Sequence, residues 1–291
     1  MNFHTPVLLK EAVDTLCVKP HHIYVDATLG HGGHTLEILK RGGIVYGFDL
    51  DPNNLKIAAD RIKDNNLSPN FFPINQNFNQ LNTVVKQKIK SKVDGLIADL
   101  GLSQNQQTGI NRGFSFNDSQ SLDMRLNPDT QTLTAEEIIN TYSFDQLFQI
   151  FSKLGQELYS KPIALKIIKQ RQKSAIKDGL RLADIIRDYY RDRHIKTKID
   201  PATKIFLSLR IAVNQEDKNL TQLLSQSLEV VKPKGTVVII TFHSGEDRLV
   251  KQFINRNKHL VQKQKFIKPS LSEIKSNPLS RSSILRSYKI V

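Results

Sequence analysis

The sequence predicts an α/β fold: a doubly wound, mostly parallel sheet into which a helical domain is inserted. Three observations carry this reading. Short, continuously apolar and β-branched runs recur, as strands covered by helices on both faces require. A segment with helical spacing lies between two of them, the alternation that builds a parallel sheet. After Asp99 the strand signal stops and resumes only at Thr236. That gap far exceeds the roughly thirty residues of a simple βαβ crossover.

In chain order, the strand candidates are Ile23 to Val25, Ile44 to Phe48, Asp94 to Ala98, Val237 to Ile240 and Ile284 to Ile290, with Phe71 to Ile74 a weaker sixth. From Asn54 to Ile62, the residues Leu55, Ala58, Ala59 and Ile62 fall on one side of a helix. The long gap and its return are helical in pattern: Ala135 to Asn140, Phe144 to Phe151, Lys161 to Gln170, Leu180 to Tyr190, Thr203 to Asn214 and Leu220 to Val231. Residues 1–103 and 200–291 are therefore expected to form a discontinuous sheet domain. Residues 104–199 are expected to form the insert, with the chain returning through Pro201.

Composition narrows the class. The 291 residues are 39% hydrophobic, enough for a packed core, and Cys17 is the single cysteine, so no disulfide framework is available. The first residues lack a basic stretch followed by an apolar one, which argues against a signal peptide, and no apolar run is long enough to cross a bilayer. A cytoplasmic protein with no membrane role is expected. The histidines show no persuasive ligand spacing, so no metal is expected either. Lys and Arg outnumber Asp and Glu by 42 to 28, and the surplus gathers at the carboxyl end. From Arg248 onward there are eleven basic residues against one acid, Glu273. Such a surplus attracts polyanions and makes salt-dependent phosphate contacts, which points to nucleic acid.

The sharpest motif is Val25-Asp26-Ala27-Thr28-Leu29-Gly30-His31-Gly32-Gly33-His34, a strand running into a glycine-rich turn that opens a helix. Glycines let a ligand approach the main chain, and helix-terminal N–H groups can bind its polar atoms. An acid before the turn and clustered glycines differ from the dinucleotide pattern Gly-x-Gly-x-x-Gly. The arrangement suits the methionine end of S-adenosylmethionine, with Asp26, Gly30, Gly32 and Gly33 as its candidate residues. Asp49 closes the second strand, 23 residues after Asp26. An acid there can accept both hydroxyls of a ribose. Asp51, just before Pro52, is read as a helix cap instead.

Asp99 ends the strand Asp94 to Ala98, where open α/β sheets bind ligands, and so lies near the methyl donor. It can accept the N–H of an amine being methylated, or it can position the cofactor. His243, in Thr241-Phe242-His243-Ser244-Gly245-Glu246-Asp247-Arg248, follows another strand. It is a second catalytic candidate, through contact with a base. An isolated histidine in this setting also has an ordinary structural reading.

Together these segments resemble the bacterial 16S rRNA cytosine-N4 methyltransferases of the MraW type. The resemblance runs from His4-Thr5-Pro6-Val7-Leu8-Leu9-Lys10-Glu11 through the glycine turn, Asp49 and Asp94 to Ser103. It continues in Arg112-Gly113-Phe114-Ser115-Phe116, Leu122-Asp123-Met124-Arg125, Pro201-Ala202-Thr203-Lys204, Leu209 to Asn214, Phe242 to Arg248 and Asn277 to Arg286. It implies a Rossmann-like, class I S-adenosylmethionine-dependent methyltransferase fold, with Gly32, Gly33 and His34 on the methionine part and Asp49 on the ribose. Phe78 is implied against the adenine, with Asp99 and Gln106 completing the pocket. The implied substrate is the N4 amine of a cytidine in the decoding region of 16S rRNA, in the small ribosomal subunit, and the insert is implied in its recognition. The chain departs from the family pattern at Gln120-Ser121, Leu158, Asp200 and Gly245. A non-catalytic rRNA-binding assembly factor with a relic pocket is the rival reading, and the intact Asp26, Gly32, Gly33, Asp49 and Asp99 argue against it. A small-molecule methyltransferase leaves the basic tail without a purpose. Oligomeric state, a dimer included, is left open.

Overall fold

The computed structural model describes residues 5–103 and 112–291. The first half alternates as expected: α1 (Leu9–Leu16), β1 (Ile23–Asp26), α2 (Gly33–Lys40), β2 (Ile44–Phe48), α3 (Pro52–Lys63), β3 (Phe71–Ile74), α4 (Leu81–Val84) and β4 (Val93–Asp99). Among the described residues the next helices are α5 (Ala135–Thr141), α6 (Phe144–Gln149), α7 (Ser160–Arg171), α8 (Gly179–Asp192) and α9 (Thr203–Asn214). The chain then runs through α10 (Glu216–Val230), β5 (Val231–Thr241), α11 (Ser244–Arg256), β6 (Val261–Lys263), α12 (Leu271–Ser276) and β7 (Ile284–Ile290).

The seven strands form one sheet in the order β3-β2-β1-β4-β5-β7-β6. The first five are parallel; β7 runs antiparallel to β5, and β6 antiparallel to β7. Alternation within the strands explains why they are buried on both sides. Leu96, Val237 and Ile239 belong to one core cluster and Ile97, Val238 and Ile240 to the other, so each face of the sheet has its own apolar layer. Burying an aliphatic side chain contributes about 1.5–3 kcal/mol. That exceeds the roughly 1 kcal/mol span of strand propensities, so two-sided burial fixes these strands. Pro73 is tolerated because β3 is an edge strand, where a missing N–H costs no ladder bond.

The mostly parallel α/β sheet with inserted helices is the fold class expected. Two details differ. β5 begins six residues before the straight run Val237 to Ile240, because Pro233-Lys234-Gly235 bulges out between the pairs Val93↔Val231 and Gly95↔Thr236. β6 was missed: it has three residues, two of them exposed and polar, and carries no periodic signal.

The chain divides into two compact units, residues 1–103 with 217–291, and residues 104–216. The second unit extends past the expected return at 200. Helix α9 packs Ile205, Phe206, Leu209 and Val213 into the same core as Ile138, Phe151, Ile163 and Ile186. Within that unit, Asp123 binds Arg125 through both carboxylate oxygens, each at 2.7 Å. Asn214 donates to Met124 O and accepts from Leu126 N. The segment Leu122 to Arg125 is thus a clamp on the end of α9. The departure Asp200 accepts two bonds from Arg187, and Leu158 is 80% exposed. Among the described residues, no helix is long and apolar enough to cross a membrane.

Candidate active site

β1, β2 and β4 end side by side. Asp26 is in register with Gly47 of β2 and Ile97 of β4. Asp49 and Asp99 each follow two residues later, so both acids lie at the same edge of the sheet, flanking the turn that leaves β1. Asp99 N donates to Thr28 Oγ1 at 2.6 Å, and Gly30 N donates to Asp49 Oδ2 at 2.8 Å. The turn is therefore stitched to both neighbouring strand ends. This is the carboxyl-end crevice where open α/β sheets take ligands.

The glycines divide the labour. Gly30 has φ 50, and a Cβ there would meet nothing within 4 Å, so its main chain borders open space. Gly32 has φ 73, and a Cβ would come within 3.1 Å of the Ala58 Cβ, which suits glycine on both counts. Gly33 serves packing: a Cβ would lie 2.1 Å from Pro6 Cγ. Residues 5–8 thus lie over the start of α2. They are tied down by Leu8 N to Glu273 Oε1 (2.7 Å) and by Asn277 Nδ2 to Thr5 O (3.1 Å).

Asp26 is 2% exposed and spends its oxygens on Thr28 N and Thr35 Oγ1. Burial pushes its pKa up to about 6, against those two hydrogen bonds. It braces the turn from within. Asp49 accepts from Gly30 N and Asn54 Nδ2 on Oδ2 and from Asp51 N on Oδ1. A carboxylate has about four acceptor positions, so one remains for a ribose hydroxyl, where the sequence suggested two. Burial raises this group to about 7. Asp51 caps α3 through Asn53 N, as expected of an acid before Pro52.

His34 is buried, and its Nε2 lies 3.2 Å from Val7 O. A carbonyl only accepts, so Nε2 carries the proton and Nδ1 presents a lone pair, 3.8 Å from Asp99 Oδ2. Burial lowers the ring to about 4, so the pair is not an ion pair. Asp99 is pushed up to about 7, first by burial and then by the charge of Asp26, with the Gly101 N–H opposing. Its Oδ1 is buried without a hydrogen-bond partner. Asp94, at the other end of β4, goes the opposite way: burial would raise it, but Lys232, Ile23 N and His22 together hold it below the usual range. One strand thus carries a satisfied acid at its base and an unsatisfied one at its crevice.

Phe78 follows β3 and is partly buried against the sheet core. Gln106 lies outside the described residues. His243 is the N-cap of α11, with Nδ1 accepting from Glu246 N and Nε2 3.1 Å from Glu246 Oε1. Nδ1 is thus committed to the helix cap, while Nε2, though near Glu246, is buried without a hydrogen-bond partner, as Asp99 Oδ1 is. Sequence reasoning missed the supporting partners Thr35 and Asn54, which belong to no motif, and the role of Val7, which stood in the first family-like segment with no partner assigned. Thr28 stood inside the glycine motif, and its spacing to Asp99 could not be read from a single chain.

An open main chain at Gly30, an unpartnered buried oxygen on Asp99 and a spare acceptor on Asp49 fit a ligand with a cationic centre at one end and hydroxyls at the other. The chain matches the family model described as the MraW methylase family over residues 1–291. A protein of Ureaplasma urealyticum named ribosomal RNA small subunit methyltransferase H is 39% identical, covering 98% of this chain and 97% of its own. A protein of the same name from Mycoplasmopsis pulmonis is 40% identical over 99% of each. Two solved structures share the fold. One, from Clostridium thermocellum and provisionally named an rRNA methylase, has TM-score 0.51 at 14% identity, covering 99% of this chain and 100% of its own. The other, a provisionally named Streptococcus mutans methyltransferase in complex with S-adenosylhomocysteine, has TM-score 0.50 at 12% identity over 100% of both chains.

Proposed function

Because this chain belongs to the MraW methylase family, we propose that it uses S-adenosylmethionine to methylate the N4 amine of a cytidine in the decoding region of 16S rRNA. The observation that carries the reading is the meeting of the glycine turn, Asp49 and the unpartnered oxygen of Asp99 at one sheet edge. Gly30 and Gly32 border the methionine portion, with Gly33 and His34 behind them. Asp49 takes a ribose hydroxyl, and Phe78 lies against the adenine. The unit formed by residues 104–216 serves substrate recognition.

S-adenosylmethionine supplies an electrophilic methyl on a sulfonium sulfur and departs as S-adenosylhomocysteine. The exocyclic amine is a weak nucleophile, because its lone pair is delocalised into the ring. Asp99 accepts one N–H of that amine, which localises the pair and aligns it. When the new C–N bond forms, the nitrogen must shed a proton, and the Asp99 carboxylate receives it. A base with a pKa near 7 is well matched to this exchange at neutral pH.

The same pKa makes cofactor binding sensitive to pH. A sulfonium beside Asp99 favours the ionised carboxylate, so affinity for S-adenosylmethionine rises as pH climbs through about 7. Between pH 6 and 8 the gain is about tenfold, the change in ionised fraction of a group with that pKa. Asp49, also raised to about 7, gives both ligands a common pH dependence through the ribose. S-adenosylhomocysteine has no positive sulfur, so the steeper rise expected for S-adenosylmethionine is the part that reports Asp99. Calorimetric titrations of both ligands across this range check the point; parallel curves would remove Asp99 from the sulfonium.

The function itself is tested by mapping methylated nucleosides in 16S rRNA from cells with and without the gene. Loss of a single N4-methylcytidine is the expected result. Unchanged modification, with no S-adenosylmethionine bound by the pure protein, would favour the assembly factor with a relic pocket.

A further inference from the structure

Beyond the crevice, the strap from Lys263 to Lys268 carries a feature the catalytic reading does not use. Ile267 bridges Leu285 of β7, with mutual backbone hydrogen bonds of 3.0 and 2.9 Å. Leu285 is in register with Ile240 of β5, and Ile240 with Asp99 of β4. Three interstrand spacings, about 14 Å, therefore separate Ile267 from Asp99 along the sheet. The strap lies at the same end of the sheet as the candidate catalytic acid.

Its neighbour Phe266 is 45% exposed, a large aromatic ring open to solvent. The Arg286 guanidinium lies 5.4 Å from the ring centroid. That guanidinium is held by Asp247 through Nε at 2.5 Å and Nη2 at 3.2 Å, and Arg286 is only 8% exposed. One side of the ring thus rests on a fixed cation. Lys263, Lys265 and Lys268 are exposed around it. Exposed aromatics among lysines are the elements that hold single-stranded nucleic acid: bases stack on the ring, and ammonium groups follow the phosphates.

We propose that Phe266 is a stacking platform for an unpaired nucleotide of the RNA strand whose target base sits at Asp99. The proposal rests on the RNA reading of the active site and adds a contact for a nucleotide other than the target. At the roughly 3.4 Å rise of stacked nucleotides the separation is about four positions, and fewer for an extended strand. Stacking of this kind tolerates any base, so Phe266 contributes affinity and register rather than sequence choice.

The absence of tryptophan from the chain permits a direct test. Phe266→Trp introduces a unique indole, and a short oligouridylate should quench its emission, whereas inorganic polyphosphate, which has charge but no bases, should not. In parallel, fluorescence anisotropy with the labelled oligonucleotide should show Phe266→Ala and Phe266→Leu binding about tenfold more weakly than the natural chain, within the range for loss of one base–aromatic stack. Binding of S-adenosylmethionine and the melting temperature should be unchanged in all three variants. RNA that binds without quenching the indole, or equal affinity in Phe266→Leu, would overturn the platform and leave the methyltransferase reading standing. If the natural chain binds no oligonucleotide, the platform falls, and the methyltransferase reading is decided separately by the rRNA mapping.

Discussion

Asp99→Asn is expected to slow methyl transfer by about a hundredfold, the lower end of what a positioned general base contributes. At saturating S-adenosylmethionine the loss falls on kcat, because an amide cannot take the proton that the N4 nitrogen must release. Cofactor affinity should fall as well, through loss of the charge beside the sulfonium, but by less than kcat. The same change should make the cofactor-free protein more stable at pH 8. Asp99 has a folded pKa of about 7, above its unfolded value. Its contribution to stability is therefore present below about pH 4 and lost as pH rises through about 7. The shift of about three units corresponds to roughly 4 kcal/mol as an upper bound. With the side chain 22% exposed, solvent screening reduces this to about 1–3 kcal/mol. Asparagine removes that cost. A melting temperature higher by a few degrees, together with a slower enzyme, is the expected pair of results. A larger loss in cofactor affinity than in kcat would make Asp99 a positioning residue.

Asp49→Ala should weaken S-adenosylmethionine and S-adenosylhomocysteine alike by about 1.5–3 kcal/mol, the range for hydrogen bonds to a charged group. That is about ten- to a hundredfold in affinity, measurable by calorimetry. The equality follows from the ribose, which the two ligands share. The substitution also strips an acceptor from Gly30 N, Asp51 N and Asn54 Nδ2. Asparagine is no gentler here. Its amide would set N–H against N–H on one side or the other, since donors approach both oxygens. Unchanged affinity in Asp49→Ala would take the ribose away from this residue.

Much of the sheet was legible because two-sided burial writes continuous apolar runs, as in Ile44 to Phe48 and Leu96 to Ala98. The glycine turn was legible because Asp26, Gly30 and Gly32 each answer a local demand: an acid to brace the bend, open main chain, a positive φ. What escaped depends on distance in sequence. β6 has one buried residue, Val261, and is held by pairing with β7 rather than by pattern. The membership of α9 could not be read from its own spacing, because an amphipathic helix does not state which core receives it. His243 stood out from its place after a strand, but its second role as the cap of α11 depends on the fold bringing Glu246 N to its ring.

The tie between the first and last parts of the chain bears on the order of synthesis. Residues 5–8 cover Gly33 and hold His34, yet their anchors, Glu273 and Asn277, are 265 and 272 residues further on. A nascent chain emerging from the ribosome can build β1 to β4 early. It cannot lock the methionine side of the pocket until almost the whole polypeptide has been translated. Premature termination anywhere before residue 273 should therefore yield a protein with weakened cofactor binding, which calorimetry on truncated chains would measure.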